Sequence, residues 1–396
     1  MSTVPPPDTE TRATRWKAWL APLADAFVAV ARLRGTTAHG GLPATMLVAG
    51  PERRVRWVVD RFFASSPERE SLGHVPAWRL ARTLRRLRAS ADLTVARVSR
   101  VTAAHLGFGD DYLPVPDWIG MRLDAPFDAD ALARRSHSAW DDMRRTRIHG
   151  WHGAVSHRAS DFAAFYRDMY VPFARNRHHA ETHLHPRRRL RKAFRRGGLL
   201  QVGRGDAWIG GLLFECRHDV LDAVALGVAG GDPGRLKEGA LAATYVQMFD
   251  HARRSGCVAI DLRGSRPSPD DGLTRYKRKW GASVYDRPDV LTTTLVHWSR
   301  MSPAVAEFLT HTPLIFHDGG GLSSLGIATA TELSSTSPAQ ACRRLRVAGS
   351  KRTIVLVGPG TPVRPVAAGC TLVPASAADA GPRALLAMAA GPPAPA

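Results

Sequence analysis

A polar cluster, Asp261, Arg263, Ser265 and Arg266, closes the apolar run Cys257 to Leu262, and Tyr276, Lys277 and Lys279 follow it. A carboxylate at the end of a buried strand can accept a proton from an attacking nucleophile, which makes Asp261 a candidate general base. The same side chain reads equally well as a structural carboxylate paired with Arg263 or Arg266. The lysines stand out against the composition. The net charge of +20 is carried almost wholly by arginine, and lysine occurs only at 17, 192, 237, 277, 279 and 351. Where arginine is the default cation, a lysine suggests a need for a compact ammonium with a movable proton or a phosphate contact. Lys277 is therefore a candidate catalytic group, and Arg263, Ser265 and Lys279 are candidate substrate contacts.

Two further clusters carry chemistry. Gly230-Gly231-Asp232-Pro233-Gly234 opens a helical pattern, with Asp232 as a side-chain acceptor at the N-cap and Pro233 at the first helical position. Arg235 and Lys237 fall in the first turn, where cations oppose the helix macrodipole unless an anion sits nearby. Gly231, Gly234, Arg235 and Lys237 are thus the candidate phosphate-binding residues. Tyr170, Arg175 and His178 lie at a helix end in YVPFARNRHH and are candidate binding residues. His178, His179, Glu181, His183 and His185 invite a metal reading, but no distant Cys or Asp closes a ligand set, so no metal is expected.

The elements that position these groups are legible from Trp208 to Tyr285. Ile209–Cys216 and Val220–Val228 are apolar and partly alternating about a polar turn, which is a hairpin signal. A helix is expected from Pro233 to about Arg254, with Leu241, Tyr245, Met248 and Ala252 on one face, Arg253 and Arg254 in its last turn and Gly256 as the C-cap. Cys257–Leu262 reads as a buried strand. Val290–His297 reads as a strand completing the same sheet. Upstream, a helix is expected over Thr11–Arg34, suited to core packing or a membrane surface. Strands at Thr45–Val48 and Leu93–Val98 alternate with helices at Arg54–Phe63 and Pro76–Arg88. One basic helix is expected over Phe127–Arg147. Downstream, helix Pro338–Val347 and strand Thr353–Val357 read as a small βαβ appendage.

The run DLRGSRPSPDDGLTRYKRKWGA (Asp261 to Ala282) resembles the closing motif of Fem-like and BioF2-like GNAT acyltransferases. There a strand ending in Asp and a Gly-Ser turn lead through GL..FK..WG to a final strand. Gly272-Leu273, Tyr276-Lys277 and Trp280-Gly281 fill that pattern, with Tyr where Phe is commoner, and YVPFARNRHH resembles a second motif of the family. The resemblance covers roughly Arg134 to Tyr285. It implies an α/β fold: a GNAT-like mixed sheet flanked by helices, in two tandem GNAT-like domains plus a small C-terminal α/β appendage. The implied division is 1–10 disordered, 11–130 a degenerate N-terminal GNAT-like domain, 131–300 the acyltransferase domain, 301–373 the appendage and 374–396 an Ala/Gly/Pro-rich tail with at most a helical turn. One departure stands: the family's pyrophosphate loop, Arg/Gln-x-x-Gly-x-Gly/Ala, is one residue longer here, at Arg235 to Ala240.

The implied activity is transfer of an acyl group from acyl-CoA, acetyl-CoA or longer, to an amine or hydroxyl on a small-molecule or carrier-linked acceptor, by family habit a cell-envelope sugar or polysaccharide precursor. Asp261 would take a proton from the acceptor and Tyr276 return one to the thiolate. Two other readings stay open. One is an aminoacyl-tRNA-dependent Fem-like transferase acting on a peptidoglycan precursor, which the basic charge suits. The other is a non-catalytic binding protein that kept the fold and lost the loop. The strongest basic run, Arg187 to Lys192 with Arg195 and Arg196, lacks interleaved aromatics and so does not read as a base-stacking surface. Four cysteines, at 216, 257, 342 and 370, show no metal spacing and read as reduced core residues. With a polar start and no apolar run of membrane-spanning length, a cytoplasmic location is expected, with peripheral membrane contact open.

Overall fold

The computed structural model describes residues 26–134, 136–178, 184–205, 207–329, 339–358, 364–379 and 381–390. The chain is mixed α/β, with three sheets flanked by helices among the described residues. It divides into a middle unit, Gly120–Gly264 with Tyr276–Ser283, and a flanking unit made of Met1–Ile119, Ser265–Arg275 and Val284–Ala396.

The middle unit is built on the expected hairpin, Ala207–Arg217 and Val220–Val228. His218 and Asp219 join the strands with φ of 47° and 59°, as a two-residue turn matched to the right-handed strand twist requires. In spatial order the seven-stranded sheet runs Ser283–Tyr285, Ile119–Asp124, Ala259–Ser265, Val220–Val228, Ala207–Arg217, Gly197–Arg204, His152–Ser156. Hairpin, glycine-rich turn, helix and parallel strand follow one another in the order the GNAT-like reading requires. The long helix Ala240–Arg254 buries Ala243, Tyr245, Met248, Phe249 and Ala252. Tyr245 and Phe249 meet the fully buried indole of Trp280 at 6.2 and 5.5 Å between ring centroids. Trp280 follows helix Gly272–Lys279, and Gly281, at φ 89°, ends that turn with the left-handed conformation a helix C-terminus favours.

In the flanking unit, Phe27–Thr36 and Pro43–Ala49 form an antiparallel pair, helix Glu52–Phe62 follows, and Leu93–Ser99 returns parallel to Pro43–Ala49. This repeats the middle unit's order, with strand Glu68–Pro76 and helix Ala77–Leu87 added between. A five-stranded sheet of Leu314–His317, Leu322–Ile327, Thr353–Val357, Cys370–Pro374 and Arg364–Ala367 shares a core with this sheet through Phe62, Trp298, Phe308, Leu314 and Ile354.

Five expectations are corrected. Phe27–Thr36 is a strand, not the end of a helix: its alternating burial pairs it with two neighbours, and the rest of Thr11–Arg34 up to residue 25 lies outside the described residues. Thr292–His297 joins the flanking unit's sheet between Leu93–Ser99 and Leu113–Pro116, and Ile119–Asp124 takes the place beside Ala259–Ser265 in the middle unit's sheet instead. The basic helix is two helices, Ala129–Arg134 and His137–Ile148. Pro382–Ala390 forms a helix that buries Leu385, so more than one turn of the tail is ordered. Cys342 and Cys370 are joined as a disulfide, with Cα atoms 6.3 Å apart, because helix Ala339–Leu345 and strand Cys370–Pro374 bury side chains in one core, while Cys216 and Cys257 remain thiols. Among the described residues no helix is long and apolar enough to cross a membrane.

Candidate active site

The parallel ladder between Val220–Val228 and Ala259–Ser265 has only three rungs, Val220 to Ala259, Leu221 to Ile260 and Asp222 to Asp261. Beyond Asp222 and Asp261 the strands part, and Val220–Val228 carries a bulge against its other neighbour between Ala223 and Ala225. A bulge next to lost pairing re-aims backbone groups, here along Ala223–Val228. Three charged groups stand at the apex. Arg263, held at φ 59°, clasps both oxygens of Asp222 with its guanidinium, and its amide donates to Asp261 Oδ1 at 2.7 Å. Burial pushes the Asp222 carboxyl up, and Arg263 pulls it back. Lys277 is 3% exposed, and its Nζ donates to the carbonyls of Arg263 at 3.3 Å and Gly264 at 2.9 Å, on the parted length of the strand.

The expected single helix after the hairpin is two. Asp232 caps a short helix, Pro233–Lys237, by accepting from the Gly234 amide at 2.7 Å. Gly239, at φ 98°, then breaks the chain, because a left-handed residue cannot sit inside a helix, and Ala240–Arg254 starts afresh. The start of this second helix, with its unfilled amides, lines a pocket of about 180 Å³ formed by Asp142, Leu236, Gly239, Leu241, Ala242, Tyr276 and Lys279. Lys279 pairs with Asp142 in this pocket, its Nζ 4.0 Å from the Tyr276 ring centroid and 5.5 Å from that of Trp280.

The candidate residues are thus sorted. Tyr276 and Lys279 line the pocket, and Lys277, Asp261 and Arg263 stand on the parted strands. Of the phosphate candidates, Gly234 serves the Asp232 cap, Arg235 lies 3.7 Å from Asp232, Lys237 is exposed, and none lines the pocket. Gly231 is glycine for a packing reason: a Cβ there would stand 2.8 Å from the Pro172 carbonyl oxygen. Tyr170 closes a π-helical turn, Phe165–Tyr170, whose backbone runs so near Gly227 that a Cβ on that glycine would lie 2.7 Å from the Tyr170 nitrogen. Its hydroxyl accepts from the His185 amide at 2.9 Å. Arg175 is exposed on the next helix, Val171–His178. The side chain of His178 lies outside the described residues, as do His179, Glu181 and His183 of the metal reading. Ser265 is fully buried in the flanking unit. No group of three metal-ligating side chains occurs among the described residues.

Sequence reasoning missed Asp142, Asp222 and Gly239. Asp222 had a signal as the one charged residue in VLDAVALGV, and Asp142 as half of an acidic pair in an arginine-rich helix.

No protein-family model and no curated protein sequence matches the chain. Solved structures do. FemX is 12% identical, over 70% of this chain and 90% of that one, with a TM-score of 0.36. L-PGS from Bacillus licheniformis is 11% identical, over 70% and 87%, with a TM-score of 0.34. A GCN5-related N-acetyltransferase from Kribbella flavida is 15% identical, over 64% and 80%, with a TM-score of 0.24. Likenesses this distant carry no argument about chemistry, and the GNAT-like fold rests on the strand order described above.

Proposed function

We propose that the chain is an acyltransferase whose thioester donor lies along Ala223–Val228, with its phosphates at the start of helix Ala240–Arg254. The parting of the parallel strands after three rungs carries this reading. Backbone groups freed from a ladder, beside a helix start whose amides favour anions, can hold an extended amide-bearing chain with a phosphorylated end. Acyl-CoA has that shape. Lys279 and the amides after Gly239 would meet its phosphates.

The chemistry follows from the groups in place. An acceptor amine or hydroxyl attacks the thioester carbonyl, the C–S bond breaks, and the proton lost by the acceptor is balanced by one gained by the thiolate. Asp261 would take the first and pass it on to the thiolate, while Tyr276, beside Lys279 in the pocket, would flank the phosphates. Lys277, anchored on two carbonyls, would hold the parted strand in place and lend positive charge to the developing oxyanion. By the family resemblance the acceptor is a cell-envelope sugar or polysaccharide precursor.

Asp142 gives the test its sign. Its carboxylate sits where a phosphate would, so it competes with an anion for Lys279. In calorimetric titrations with acetyl-CoA and a long-chain acyl-CoA, Lys279→Ala should weaken binding about tenfold, on the order of 1.4 kcal/mol for one charge-assisted contact. Asp142→Asn should tighten it. No binding of either thioester would reject the acyl-CoA reading. Charged tRNA would then be the donor to try, and a chain binding neither would fit the non-catalytic reading.

A further inference from the structure

Helix Arg187–Phe194 buries Leu190, Ala193 and Phe194 in the core that holds Phe162, Leu199 and Leu213, with Phe194 stacked on Phe162 at 5.1 Å. Every other position from Arg187 to Arg196 is an exposed cation: Arg187, Arg188, Arg189, Arg191, Lys192, Arg195 and Arg196. Arg196 lies 3.9 Å from Glu215, and Arg187 stands 5.9 Å from the Tyr166 ring centroid. Among the described residues none of the six cations from Arg187 to Arg195 has an ion-pair partner. An arginine-rich composition does not account for this. The whole chain holds 55 cations in 396 residues, whereas this stretch holds seven in ten. Unpaired like charges packed this closely repel one another, so the arrangement is unfavourable unless something anionic covers it.

We infer that this helix docks the chain on an anionic lipid bilayer. At 100° per residue the five cations of this eight-residue helix all fall within an arc of about 200°, spread along about 12 Å of axis. A convex half-cylinder of charge meets a flat anionic surface along its whole length, and its arginine stems reach down from the flanks. Nucleic acid fits less well. Single strands are held in grooves with aromatic platforms, and no large apolar or aromatic side chain is exposed between residues 184 and 204. A convex ridge also touches only a few phosphates of a duplex. The anionic surface of a bilayer, by contrast, attracts each nearby basic side chain independently. This inference does not depend on which residues carry acyl transfer.

Sedimentation of the full chain with vesicles of phosphatidylcholine containing 30% phosphatidylglycerol, against phosphatidylcholine alone, tests it. The chain should pellet with the anionic vesicles only and release at 1 M NaCl. Each cation removed should weaken partitioning about fivefold, and Arg188→Ala/Arg191→Ala/Arg195→Ala together about 100-fold. The lysine triple at the same positions should keep most of the binding, which separates lost charge from lost folding. Arg79→Ala/Arg82→Ala/Arg86→Ala, an equal charge change on an exposed helix of the flanking unit, should leave it nearly unchanged. Equal losses from both alanine triples would reduce the effect to net charge and overturn the proposal. So would binding to structured RNA that the first triple abolishes while vesicles go unbound.

Discussion

Each unit contains a hairpin, a helix and a strand that returns parallel to the hairpin's second strand, and the two seams are finished differently. In the flanking unit the ladder between Pro43–Ala49 and Leu93–Ser99 runs from Met46 to Ala49, the last residue of its strand. Gly50 follows, so close that a Cβ would lie 2.8 Å from the Arg97 carbonyl oxygen. Arg97, itself buried, is locked to Asp117, which also accepts from Thr292 at 2.6 Å and Thr294 at 3.0 Å. In the middle unit the ladder stops after three rungs, Ala223–Val228 runs on without that partner, and Lys277 holds the loose carbonyls. Topology alone therefore does not make a cleft. One seam is sealed by backbone contact and a buried ion pair, and the other stops after three rungs.

The largest expected effect comes from breaking the seal. Arg97→Met leaves Asp117 charged and uncompensated among buried groups, and should lower unfolding free energy by about 3–5 kcal/mol in urea titrations while leaving thioester affinity intact. The matching change at the open seam, Lys277→Met, should cost less, about 1–3 kcal/mol, since it leaves neutral carbonyls rather than a charge without a partner, and should remove activity. A Lys277→Met enzyme with full turnover would make that lysine purely structural.

The turns give a smaller contrast. Gly50→Ala meets both a φ of 113° and backbone at 2.8 Å, and should cost about 3 kcal/mol or more, whereas Gly230→Ala meets only a φ of 67° with nothing within 4 Å. About 1 kcal/mol is expected for the latter. Similar costs at the two positions would mean that the seams are equally tight.

The smallest effect is acid sensitivity. Burial holds His297 and His317 of the flanking unit below their ordinary value of 6.5. A base with a lowered folded value is stable when neutral, so its contribution is present above about 6.5 and is lost as pH falls below it, with a slope of at most about 1.4 kcal/mol per unit for each histidine. His251 acts in the same direction in the middle unit, but the raised carboxyl of Asp222 acts oppositely, gaining stability as pH falls through its folded value. Between pH 7 and 5 the flanking unit should therefore lose more protection against proteolysis than the middle unit. The reverse order would contradict these assignments.

The hairpin and the long helix face were legible because each is local, a polar turn between two apolar runs and a 3.6-residue apolar stripe, whereas the Gly272 to Trp280 segment was marked only by its resemblance to a family motif. What was not legible is non-local. Thr292–His297 carries a strand pattern that fits either sheet, and only three-dimensional pairing assigns it to the flanking unit. Phe27–Thr36 satisfied a helical stripe as well as a strand alternation, and pairing with two neighbours decided it. The phosphate candidates were set at Gly231 to Lys237 because Asp232-Pro233 is a strong helix start. The left-handed Gly239 adds a second start that no local preference demanded. Asp142 reaches Lys279 across 137 positions of sequence, a separation no motif spans.

Hydrogen exchange of the full chain with and without saturating acetyl-CoA tests the central claim most directly. The donor should slow exchange in peptides covering Ala223–Val228 and Gly239–Ala243, and leave Pro43–Ala49 and Leu93–Ser99 unchanged. Unaltered exchange across Ala223–Ala243, or equal slowing at both seams, would contradict the assignment of the open strand pair as the donor site.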